Sequence, residues 1–111
     1  IKGIFDGIAL RVPVITASLS DITVVLKKKV TKEELNKVFV KASKTARFKG
    51  ILDATYEELV SSDFIGNSFS SIVDLNLTNV VEGDLVKVVA WYDNEYGYSC
   101  RLVEMAELFG K

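Results

Sequence analysis

Apolar and polar residues alternate with period two along several stretches of the chain and take a helical period in two others. Over residues 7–12, Ile8, Leu10 and Val12 alternate with Gly7, Ala9 and Arg11, which predicts a first strand with two unlike faces, closed by the only proline, Pro13. A second strand is predicted over 20–27, with Ile22, Val24 and Leu26 on one face. Thr31 and Glu34 then form a Thr-x-x-Glu capping box, and Leu35, Val38, Phe39 and Ala42 follow as one apolar helical stripe. Beyond Gly50, residues 50–54 read as a short strand, 55–59 as a helical turn and 61–66 as irregular or short strand. Residues 71–77 alternate with Val73, Leu75 and Leu77 on one side. Glu82-Gly83-Asp84 supplies a turn, so 71–77 and 85–92 are predicted to form an antiparallel hairpin. The second of these strands is apolar on both faces except at Lys87, which predicts a central strand covered on both sides. A closing helix from about Tyr98 carries Leu102, Met105, Ala106 and Phe109 at helical spacing and ends at Gly110. The expected fold is therefore α+β: a mostly antiparallel, mixed sheet with two amphipathic helices packed on it, in one domain over residues 1–111.

Length and composition narrow the chemistry. The 111 residues fit one domain, 49% are hydrophobic and 26% charged, and the net charge is −1. That balance argues against intrinsic disorder and makes nucleic acid an unexpected partner. No apolar run approaches membrane-spanning length and no signal-like segment opens the chain, so no membrane association is expected. There is no histidine and only one cysteine, Cys100. A Ser-His-Asp or Cys-His arrangement, a histidine-containing zinc site and an internal disulfide therefore cannot come from this chain alone. The glycines form neither a GxGxxG nor a Walker loop, so no phosphate-cradling fingerprint is present.

Three places remain where chemistry can sit. Residues 27–49 hold nine of the fourteen basic residues against Glu33 and Glu34; this is either a phosphate-polymer surface or the solvated face of an amphipathic helix. Arg11 shares its predicted strand face with Gly7 and Ala9, so its planar fork of donors has small neighbours; it is either an anion contact or an ion-paired rim residue. Trp91-Tyr92-Asp93-Asn94-Glu95-Tyr96-Gly97-Tyr98 gathers aromatic, acidic and amide groups where a strand passes into a helix. There Asn94 can pair with a ligand amide, or Asn94 or Asp93 can cap the helix. Cys100, with no histidine to activate it, reads as a packing residue.

The segments Asp6-Gly7-Ile8-Ala9-Leu10-Arg11-Val12-Pro13, Ser61-Ser62-Asp63-Phe64, Ser70-Ser71-Ile72-Val73-Asp74 and Trp91 to Tyr98, followed by Ser99 and Arg101, resemble glyceraldehyde-3-phosphate dehydrogenase. The resemblance runs over nearly the whole chain and is to the later, C-terminal part of that family's catalytic domain. It implies NAD as cofactor, with aldehyde oxidation to an acyl phosphate by way of a cysteine and a histidine. Both of those residues, and the dinucleotide-binding domain, belong to the family's upstream sequence. It further implies that Arg11 binds the substrate and inorganic phosphates, that Asn94 hydrogen-bonds the nicotinamide carboxamide, and that Tyr98 lies beside the nicotinamide ring. No catalytic residue and no metal ligand is implied within these residues, and Cys100 does not match the catalytic cysteine. The implied parent is a cytoplasmic, glycolytic homotetramer acting on glyceraldehyde 3-phosphate; the chain alone is expected to be inactive and to self-associate through uncovered apolar surface. Ala17 and the pair Ser68-Phe69 depart from the family's usual residues. Two alternatives stand beside this one: a fragment of the related erythrose-4-phosphate dehydrogenase, and a non-catalytic interaction module binding an anionic partner through 27–49.

Overall fold

The computed structural model of the chain describes residues 3–110. Five strands and two helices run in the order β1 (Ser18–Val25), α1 (Lys32–Ser43), β2 (Leu52–Thr55), β3 (Ser71–Asp74), β4 (Asn79–Val81), β5 (Leu85–Tyr92) and α2 (Tyr96–Phe109), with a 3₁₀ turn at Ser61–Phe64 between β2 and β3. The sheet is mixed, as expected. Strand β5 is its hub: β1 pairs antiparallel along one whole edge, from Ser18 opposite Tyr92 to Val25 opposite Leu85. The other edge of β5 is shared. β4 takes its first half, β3 takes Ala90 and Trp91, and β2 adds outside β3 in parallel.

Local chemistry accounts for the best-defined ends. Thr31 Oγ1 accepts from the Glu34 N–H at 3.1 Å and Glu34 Oε2 accepts from the Thr31 N–H at 2.9 Å, so the predicted capping box starts α1. The inward face of α1 is rotated from the predicted stripe: Leu35, Phe39 and Val40 pack on Val73, Leu75, Val86 and Val88, whereas Val38 is exposed. Asn36 takes a core position instead. Its Nδ2 donates to the Leu75 carbonyl at 3.0 Å and its Oδ1 accepts from the Thr78 hydroxyl at 2.6 Å, so a buried amide is satisfied at both ends.

Several expectations are corrected. Residues 7–12 form no strand and are exposed throughout. Alternation specifies a pleat, but a strand also needs a partner, and among the described residues 7–12 pair with no strand of the sheet. The single turn of helix falls at Ser61–Phe64 rather than 55–59, where the Asp63 carboxylate accepts from the Val60 N–H at 2.8 Å. The expected antiparallel pairing of 71–77 with β5 is present only at Ile72 opposite Trp91 and Val73 opposite Ala90; the hairpin across 82–84 is made by β4, β3 ends at Asp74, and Leu77 is exposed. The second strand begins at Ser18 and α2 at Tyr96, each two residues earlier than expected. β5 is covered along its length by α1 on one face only; on the other, cover is confined to the Trp91 end, where the 3₁₀ turn packs. The apolar stripe of α2 (Leu102, Met105, Phe109) is exposed.

The β4–β5 turn holds Glu82 at φ 53° and Gly83 at φ 86°, the pair of positive φ values that type I′ turns use. Glycine takes this region freely, but glutamate is strained there. Glu82→Asn is expected to raise stability by about 0.5–1 kcal/mol, read as a higher urea midpoint at unchanged slope.

Candidate functional site

The site forms where β5 ends and α2 begins. Trp91 closes the strand from a fixed position: its Nε1 donates to Asp74 Oδ2 at 3.2 Å and its ring stacks on Phe64, centroids 5.3 Å apart and planes 10° apart. Phe64, Ile72 and Ala17 form the small buried core beneath the junction, with Trp91, Leu59 and Phe69 packed around it. Ala17 has a φ of 74°, the left-handed region that residues other than glycine seldom take.

Asp93 organises the start of α2. Its Oδ1 accepts from the N–H groups of Glu95 and Tyr96, and its Oδ2 from the Gly66 N–H, all at 2.8 Å. The helix is thus capped by Asp93, one of the two residues the sequence offers, and the same carboxylate ties it to the loop after the 3₁₀ turn. Burial alone would push this carboxyl up, but the N–H donors of Gly66, Tyr96 and Glu95, with the Thr16 hydroxyl, outweigh it and hold the group below the ordinary carboxylate value.

Close approach requires glycine one turn on. A Cβ at Gly97 would lie 2.8 Å from the Phe69 carbonyl oxygen, closer than real Cβ atoms come. Gly97→Ala is expected to cost about 2 kcal/mol in thermal unfolding, because either helix or loop must give way.

Asn94 stands on this frame, exposed at the lip of a cleft of about 270 Å³ whose walls are Ser70, Tyr92, Asp93, Asn94, Tyr98 and Arg101. Its Oδ1 accepts from the Ser18 hydroxyl at 3.1 Å, and the Thr16 hydroxyl, 3.5 Å away, has a single proton to divide between this oxygen and the Asp93 carboxylate. Among the described residues Nδ2 gives no hydrogen bond, so both its N–H groups remain to offer a ligand acceptor. Tyr98 lines the same cleft with its ring two-thirds exposed. Arg101 braces the wall: Nη1 donates to the Gly50 carbonyl at 3.0 Å and to Ser70 Oγ at 3.2 Å, and Nη2 pairs with Glu104.

Two of the three sequence-named residues, Asn94 and Tyr98, therefore share one cleft. Arg11 does not join them. It lies on the exposed irregular segment before β1 and makes no ion pair among the described residues. Cys100 faces a different shallow depression, with Tyr96, Ser99 and Val103. No group of three or more His, Cys, Asp or Glu residues able to hold a metal occurs among the described residues. Sequence reasoning misses Thr16 and Ser18. The signal is available only jointly: a Thr-x-Ser whose strand lies opposite the end of β5.

Known proteins of similar sequence point the same way. Residues 1–94 match the family model for the C-terminal domain of glyceraldehyde 3-phosphate dehydrogenase. The chain is 55% identical over 108 residues to a glyceraldehyde-3-phosphate dehydrogenase of Borreliella burgdorferi, covering 96% of this chain and 32% of that protein. It is 49% identical over 110 residues to one from Streptomyces coelicolor (99% and 33%), and 50% identical over 105 residues to glyceraldehyde-3-phosphate dehydrogenase 2 of Bacillus subtilis (95% and 31%). The chain thus spans about a third of the length of the curated relatives it matches.

Proposed function

The chain belongs to the glyceraldehyde-3-phosphate dehydrogenase family, and on that premise we propose that it is the C-terminal portion of the catalytic domain of an NAD-dependent, phosphorylating enzyme of this kind. The observation that carries the cofactor reading is the Asn94 amide: its oxygen meets the Ser18 hydroxyl and, among the described residues, its N–H groups are free at the cleft, the donor set a carboxamide carbonyl requires. NAD, when bound, supplies the hydride acceptor. Asn94 fixes the rotation of the pyridine ring through its carboxamide, and the Tyr98 ring offers a flat apolar wall beside it.

Arg11 brings a guanidinium to the phosphate of substrate or to inorganic phosphate. Its exposure and lack of an ion-pair partner among the described residues support this role. The thiol and imidazole of the reaction come from sequence outside this chain, since it has no histidine and Cys100 lies away from the cleft. The exposed apolar stripe of α2 and the bare segment with Ile8, Leu10 and Ile15 support a parent in which further chain and neighbouring subunits cover them; that this parent is a cytoplasmic homotetramer is carried by the family resemblance alone. The basic stretch 27–49 runs along α1 and its flanks, the placement of a solvated helix face.

Two measurements test this reading. Pure 111-residue chain supplied with glyceraldehyde 3-phosphate, phosphate and NAD is expected to form no NADH. In the longer enzyme, Arg11→Ala is expected to raise the phosphate or substrate KM through loss of a charge-assisted contact of about 1.5–3 kcal/mol. Unchanged KM values would take Arg11 out of the site.

A further inference from the structure

Helix α2 leaves the sheet with little to lean on. None of its side chains joins either apolar core among the described residues, and Leu102, Val103, Met105, Leu108 and Phe109 are exposed. A helix so placed tilts about its first turn unless a second point holds it. Three contacts, from residues four apart, secure it. Asp93 Oδ2 accepts from the Gly66 N–H at 2.8 Å just before the helix. Gly97 lies so close to the Phe69 carbonyl that a Cβ would fall 2.8 Å from its oxygen. Arg101 Nη1 donates to Ser70 Oγ at 3.2 Å and to the Gly50 carbonyl at 3.0 Å. The first two act at the start of the helix. Only Arg101 acts a turn further on, about 6 Å along the axis.

The acceptors of Arg101 belong to a fixed part of the fold. The N–H groups of Ser70 and Ser71 both donate to the Ile51 carbonyl, at 2.8 and 3.3 Å, where Leu52 and Ser71 open the parallel pair of β2 and β3. Nη2 pairs with Glu104, which holds the planar fork in its orientation. Nε is buried with no hydrogen-bond partner among the described residues, which works against stability. The arrangement thus gives α2 direction more than free energy. Tyr98 sits between the last two contacts, three residues before Arg101 and on the same side of the helix, and both line the cleft with Ser70 and Asn94.

We propose that Arg101 is a positioning residue: by bridging α2 to the start of β2 and β3 it fixes the tilt of the helix, and so sets where the Tyr98 ring stands relative to Asn94. Arg101 acts through Tyr98 and needs no ligand contact of its own. Its effect on cofactor affinity rests on the reading of Tyr98 as a wall beside the pyridine ring; its effect on the placement of that ring does not.

The test uses the longer enzyme of which we propose this chain is part, carrying 3-fluorotyrosine at position 98 alone. Arg101→Met keeps most of the aliphatic stem and removes every donor. Without ligand, it is expected to shift and broaden the fluorine resonance of residue 98. Arg101→Lys, whose single ammonium cannot span the Gly50 carbonyl, Ser70 and Glu104 as the planar fork does, is expected to move it in the same direction by a smaller step. With ordinary tyrosine, Arg101→Met is expected to weaken NAD by about three- to tenfold and to leave ADP-ribose, which lacks the pyridine ring, unchanged. The double variant Tyr98→Ala/Arg101→Met is expected to bind NAD no more weakly than Tyr98→Ala alone. A fluorine resonance left as in the native enzyme, in whichever variant folds, would overturn the positioning role. Additive losses in the double variant, or equal losses of NAD and ADP-ribose, would do the same. Tyr98→Ala with unchanged NAD affinity would instead remove the nicotinamide reading of Tyr98, and the fluorine resonance would still decide the role of Arg101.

Discussion

Phe64→Ala is expected to lower the free energy of unfolding by about 3–5 kcal/mol, a large share of the roughly 5–15 kcal/mol that holds a domain together. Phe64 is 2% exposed and is the largest side chain of the small core under the junction. Its removal also strips the stacked face from Trp91, leaving that ring held by its bond to Asp74 and what remains of the small core. Because Trp91 lies three residues before Asn94, the cleft should loosen with the core. Urea unfolding followed by the fluorescence of Trp91, the only tryptophan, reads both effects. A loss under about 1 kcal/mol would mean the ring is not packed as described.

Asp93→Ala is expected to cost about 3 kcal/mol, roughly 1 kcal/mol for each of three backbone N–H groups deprived of a charged acceptor. Its pH signature is more specific. The folded carboxyl titrates below its ordinary value of 3.8, so between the two values the unfolded chain binds more protons than the folded one. The stabilisation is therefore complete above that ordinary value and is lost as pH falls through it toward the folded value. Asp93→Asn, which keeps one acceptor oxygen but opposes the Gly66 N–H with an amide nitrogen, should be less stable than the native chain at neutral pH. In acid the two should converge. Parallel pH profiles would show that another carboxylate governs acid unfolding.

Legibility in the sequence divides by distance along the chain. The capping box of α1 is plain because Thr31 and Glu34 settle it between themselves. The central place of β5 shows in its two apolar faces, since only a strand with neighbours on both edges and cover on its faces tolerates Val86, Val88, Val89 and Ala90 together. Residues 7–12 mislead because alternation describes one chain while pairing needs a second. The rotated face of α1 is hidden because Asn36 counts as polar in any periodicity, although its two buried partners lie 39 and 42 residues away. In the site, Asn94 and Tyr98 stand out through their local motif. The hydroxyls that hold Asn94 do not, since Ser18 lies 76 residues from it.

That separation bears on how the molecule is made. α1 needs only its own dozen residues, and β2 finds β3 across a short excursion, so both can form while synthesis continues. β1, by contrast, has to wait, unpaired, until the stretch from 26 to 84 has been made before β5 emerges to meet it. The closure is entropically costly and comes last. Residues 18–25, with Leu19, Ile22 and Val24, are meanwhile an unsatisfied ribbon of β-prone chain. During translation this stretch, more than any helix, would call for a chaperone.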